Sequence, residues 1–124
     1  MIFDNDFDVH SIAKQLGIAP TECKSRNETR ISPLTNKPIE GFWTLKTEEK
    51  EERDLGVVLN KLMENISAKL PDIKKICDEN GGKVVFDIVS FFDGNSKPAL
   101  YFERNFLDIV NYLNATIQID LYVR

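Results

Sequence analysis

The chain has 124 residues and a formal net charge of −4. That length is one domain by the usual size range, and it can bury a core without disulfide staples. Its sixteen basic residues are interspersed among twenty acidic ones, so no concentrated basic field exists to hold the phosphates of a nucleic acid.

Asp8 can cap a first helix, in which Val9, Ile12, Ala13 and Leu16 recur at helical spacing and Gly17 supplies the stop. Residues 18–21 run extended, because the residue before Pro20 avoids the helical region. Residues 23–40 carry Ser, Asn, Thr, Pro33 and Pro38 with little periodicity. They read as a long surface loop, with a short strand near 30–34. Residues 41–46 form a strand candidate, and 47–53 a charged connector. Asp54 is placed to cap a helix whose apolar stripe is Leu55, Val58, Leu59, Leu62, Met63 and Ile66. Pro71 opens a second helix at its first position, with Ile73, Ile76 and Cys77 facing inward and Asn80-Gly81-Gly82 ending it. Residues 83–92 are a β-rich run, 93–96 have turn chemistry, and 99–103 are a second apolar run, antiparallel to the first. Helical spacing over 105–113 provides a crossover to a last strand over 116–123, which alternates almost without exception. This order predicts one α+β domain over 1–124, with a mostly antiparallel sheet and helices packed on one face.

Strand alternation divides that sheet into two faces. Ile117, Ile119, Leu121 and Val123 are expected to meet the helices, together with Val84, Phe86, Ile88, Phe92, Leu100 and Phe102. The opposite face combines Val85, Val89, Phe91, Tyr101 and Tyr122 with Asp87, Glu103 and Asp120. A fully solvated face would be more polar. Aromatic and aliphatic side chains beside acids suit a protein-contact surface. The competing reading is that the 23–40 loop or Trp43 folds over this face. Trp43, the sole tryptophan, is read as a buried strand anchor. A ligand pocket between Trp43, Tyr122 and the 23–40 loop is the minority reading.

Little else points to chemistry. His10 is the only histidine, so any Ser-His or Cys-His site would have to use it, and its sequence neighbours give no support. Two cysteines and one histidine, all scattered, argue against a structural zinc. Gly81-Gly82 precedes a strand instead of a helix N-terminus, so it is not a phosphate loop. Asp4, Asp6 and Asp8 fail as a calcium loop, since the sixth and twelfth positions from Asp4 are Val9 and Gln15. No motif implies a cofactor. Asp87 and Asp120 are a weak acid–base pair without a nucleophile or metal beside them. Cys23 and Cys77 are expected to be reduced thiols. No stretch approaches the roughly 20 apolar residues that span a bilayer, and the N-terminus lacks the basic and apolar regions of a signal peptide. A cytoplasmic setting without membrane contact follows as the expectation.

Some of these segments resemble the bacterial domain of unknown function family numbered 4279. The matching pieces are Phe7-Asp8 entering the first helix, Leu16-Gly17-Ile18 followed by Pro20-Thr21, Phe42-Trp43-Thr44-Leu45, the apolar helix from Leu55, and the closing Ile117-Gln118-Ile119-Asp120-Leu121-Tyr122. Members usually have a full edge strand before the first helix, and here only Met1-Ile2-Phe3 can supply it. They also carry a short basic-glycine turn after the Pro-Thr pair, which the longer 23–40 segment lacks. The resemblance implies a fold and a bacterial, cytoplasmic setting, and assigns no catalytic residue. The functional expectation is a non-enzymatic protein-interaction module, of the immunity or anti-toxin type by analogy. Its partner would be a second copy or a basic heterologous protein.

Overall fold

Ile2 and Phe3 are the whole of the first strand, yet they hold a sheet together. In the computed structural model, which describes residues 1–47, 55–93 and 100–123, the chain falls into two compact units. One comprises Met1–Lys46 and Pro71–Val84, the other Thr47–Leu70 and Val85–Arg124. The notional cap Asp54 and most of the 47–53 connector and of the 93–96 turn lie outside the described residues.

In the first unit, β1 (Ile2–Phe3) pairs antiparallel with β3 (Gly41–Thr44) on one side and β4 (Gly82–Lys83) on the other. β2 (Glu22–Lys24) pairs antiparallel with the far side of β3. The strand order is therefore β2-β3-β1-β4, and β1 is interior, not the edge strand expected. Two residues suffice because both neighbours accept its ladder. Helix α1 (Ser11–Leu16) ends at Gly17, whose φ of 69° and N–H bond to the Ala13 carbonyl close the last turn. Asp8 is not the cap: the N-cap is His10, two residues later and without a side-chain capping bond, and the Asp8 carboxylate accepts the His10 N–H at 3.0 Å. Phe3, Val9, Ile12 and Leu16 are completely buried, and Trp43 nearly so.

The expected 23–40 loop has more structure than its composition suggested. Cys23 and Lys24 belong to β2, a 3-10 turn follows at Arg26–Glu28, and Ile31 bridges Pro38. Here Gly41 is required by a close approach. A Cβ there would lie 2.9 Å from the backbone nitrogen of Arg26, so only glycine lets β3 pass beneath the 3-10 turn.

In the second unit, α2 (Leu55–Ile66) buries Leu59, Met63 and Ile66, as its stripe predicted. A 3-10 turn (Ser67–Lys69) links it directly to α3 (Leu70–Asn80), so Pro71 is the second residue of that helix, one place after the expected first position. From Pro71 onward α3 belongs to the first unit, where Ile73, Ile76 and Cys77 are buried. The run over 83–92 is divided: β4 stops at Lys83, and β5 (Val85–Phe92) starts after Val84. After β5, α4 (Arg104–Tyr112) leads to β6 (Thr116–Val123), which pairs with β5 in parallel from Val85↔Thr116 to Phe92↔Val123.

Two expectations are corrected here. Residues 100–103 are not a strand, and β5 has no antiparallel hairpin partner among the described residues. The α4 crossover returns the chain in the same direction, and that makes the pair parallel. Beyond Ile117 the inner face of β6 is also not covered. Ile119 is 39% exposed, Leu121 50% and Val123 67%, whereas Phe86 and Ile88 of β5 are buried. Phe106 of α4 explains the difference: it meets Phe86 edge-on at 5.2 Å and seals the inner face over β5, leaving β6 at the margin. The architecture is α+β, with an antiparallel four-stranded sheet and a parallel pair.

Candidate functional site

Strand register brings five of the seven predicted interface residues onto one surface. Asp87, Val89 and Phe91 alternate along β5, and Gln118, Asp120 and Tyr122 lie beside them on β6. The rings of Phe91 and Tyr122 stack at 5.2 Å with an interplanar angle of 22°. Val89, Phe91 and Tyr122 are each about half exposed. The remaining two are elsewhere. Tyr101 and Glu103 line a shallow cleft with Gly56, Leu59, Asn60, Asn105 and Phe106, on the helix side of the pair. The cleft has room for about one water. Only a strand over 99–103 would put Tyr101 and Glu103 on the outer face by alternation, and residues 100–103 form none.

Asp87 and Asp120 come together diagonally across the parallel pair. Partial desolvation raises the Asp87 carboxyl above the usual range, and the charge of Asp120 and a hydrogen bond with it raise it further. The pair lies on an exposed strand face, and among the described residues no group of three His, Cys, Asp or Glu could hold a metal ion there. A raised carboxyl favours the protonated form in the fold. Ionisation therefore costs stability above the folded value, and the cost is relieved as pH falls through that value toward the unfolded one. Asp87→Asn is expected to raise the melting temperature modestly at neutral pH, since the site is exposed. The gap should close as the medium is acidified. Thermal melts across pH check this, and a gap constant with pH would show that the two carboxyls do not interact.

Trp43 and Tyr122, the alternative pocket residues, fall in different units. Trp43 is 5% exposed, and its indole Nε1 is buried without a hydrogen-bond partner. Its backbone exchanges bonds with Met1 at 2.7 and 2.9 Å.

One constellation was missed from sequence. His10, immediately before α1, stands between two partners. Its Nε2 is 2.5 Å from Glu28 Oε1, and its Nδ1 is 3.5 Å from the Cys23 sulfur. Cys23 lies opposite Trp43 in the β2–β3 register, so it shares the face on which that indole is buried. Glu28 is held by the capping pair it forms with Ser25, whose backbone N–H donates to Oε1 at 2.9 Å. That bond first, and the bond from His10 second, hold the Glu28 carboxyl below its usual range. Ser25 is itself buried, and its hydroxyl accepts the Val9 N–H at 3.1 Å. The Ser-x-x-Glu signature at 25–28 was the available signal, but it says nothing about which histidine the glutamate would face.

Among the described residues no three His, Cys, Asp or Glu side chains are placed to hold one metal ion, and no helix is long and apolar enough to cross a membrane. Together the fold and the open acidic-aromatic strand pair define a small mixed α+β protein. The sequence model of the domain of unknown function DUF4279 matches residues 1–124, and the chain belongs to that family. Neither a curated protein nor a solved structure matches it.

Proposed function

We propose that this protein is a non-enzymatic interaction module whose outer β5–β6 face binds a basic protein surface. One observation carries the reading: the half-exposed Phe91–Tyr122 stack beside the coupled Asp87 and Asp120. Stacked aromatics give a rigid apolar anchor at small entropic cost, and adjacent acids select a cationic partner and speed its approach. The net charge of −4 acts in the same sense over longer range. A toxin-neutralising role, of the immunity or anti-toxin type in a bacterial cytoplasm, fits these properties by analogy.

Tyr122→Ala is expected to weaken partner binding by about 2 kcal/mol or more, roughly thirtyfold. Asp120→Asn should chiefly slow association and flatten its salt dependence. Sedimentation of the full chain comes first, to separate self-association from a heterologous partner. Capture from the source cell with wild-type and Tyr122→Ala protein follows. A basic partner retained by the wild type and lost by the variant supports the reading. A monomer that captures nothing, or a partner indifferent to both substitutions, overturns it.

A further inference from the structure

We propose that Cys23 is a nucleophilic thiol, operated by His10 and Glu28, that exchanges with low-molecular-weight disulfides. The arrangement has the three parts such a nucleophile needs: a thiol, a base within reach of its proton, and an acceptor that orients the base. Cys23 faces Nδ1 at 3.5 Å, and Glu28 faces Nε2 at 2.5 Å. A proton on Nε2 is fixed by Glu28, so Nδ1 presents its lone pair to the thiol. The two partners occupy opposite ring nitrogens, so they do not converge on a common ligand. Glu28 is a positioning residue. It acts through His10, and its own place is set by Ser25.

The cluster is accessible. The His10 and Glu28 side chains are 51% and 44% exposed, and Cys23 is half-buried. Both thiols are free, but Cys77 is buried, and desolvation pushes its thiol above the usual range. Cys77 is therefore an internal control that stays protonated and out of reach.

In the exchange, the Cys23 proton passes to His10 Nδ1 and the thiolate attacks one sulfur of the disulfide RS–SR. The S–S bond breaks as the Cys23 S–SR bond forms, and the leaving thiolate takes the proton from His10 to give RSH. Cys23 sulfur is oxidised, the leaving sulfur is reduced, and the disulfide is the only co-reactant. Acyl transfer would demand a set of donors for an oxyanion as well. Disulfide exchange needs only what these three residues supply.

The test uses the full chain with glutathione disulfide, the product being followed by intact mass and the site located with Cys23→Ser. At neutral pH wild-type Cys23 is expected to react about tenfold faster than the same thiol in His10→Gln, with Cys77 unmodified. Glu28→Gln, which keeps an acceptor for the Nε2 proton, should retain more of the rate than Glu28→Ala when both melt as wild type does. The wild-type pH–rate profile should show two ionisations, one of which His10→Gln removes. Among the described residues, the charged and titratable groups bonded to His10 are Glu28 at Nε2, Cys23 at Nδ1 and Asp8 on its backbone N–H. Equal rates in wild type and His10→Gln would overturn the proposal. So would a wild-type profile with a single ionisation, a result that requires no variant to fold.

Discussion

Ile88→Asp is expected to unfold the second unit, whereas Ile119→Asp should leave it folded. The two residues are register partners on the same face of the parallel pair. Ile88 is 7% exposed and flanked by Phe86, which Phe106 covers. A carboxylate there loses its water without gaining a partner, at a cost of several kcal/mol. That is a large fraction of the roughly 5–15 kcal/mol that stabilises a domain. Ile119 is 39% exposed, so an aspartate at that position keeps much of its hydration. Urea unfolding of both variants, followed by circular dichroism, decides the matter. Equal losses would show that β6 is as deeply covered as β5.

Phe3→Ala should destabilise the first unit by about 3–5 kcal/mol, the range for a buried aromatic truncated to a methyl group. Phe3 is completely buried on the interior two-residue strand, and its ring packs against Phe7 at 4.9 Å. The opposite side is equally tight. A Cβ at Gly82 would lie 2.5 Å from the Phe3 ring and 3.1 Å from the Cys77 sulfur, so the glycine is what admits the ring. Little can collapse into the space once the ring is removed. Leu34→Ala, on a side chain 94% exposed, serves as the comparison and should be almost neutral. A loss below about 1 kcal/mol for Phe3→Ala would show that β1 is dispensable to the sheet.

Local patterns carried far in this chain. The Gly17 stop, the α2 stripe and the alternation of β5 are each set by a period of 3.6 or 2 and by residues adjacent in sequence. The outer positions 87, 89, 91, 120 and 122 share a surface for the same reason, since a strand has only two faces. Alternation does not say which strand lies alongside or what covers each face. Residues 99–103 have strand-like composition, yet β5 pairs with β6, and Tyr101 and Glu103 lie against Leu59 and Phe106.

Composition, charge and the two periodicities thus determined by themselves the class of the fold, most helix and strand positions, and the shared surface of positions 87, 89, 91, 120 and 122. Tertiary structure decided the interior place of β1, the parallel pairing of β5 with β6, and the exposure of Ile119, Leu121 and Val123. It also decided the meeting of His10, Cys23 and Glu28. Those three residues lie on a pre-helix turn, a strand and a 3-10 turn, and no periodicity relates them. Their contact depends on how Ser25 is buried, how Asp8 turns the chain before α1, and how β2 docks on β3. Such contacts arise when loops close between distant segments, and a single sequence carries no local signal for that closure.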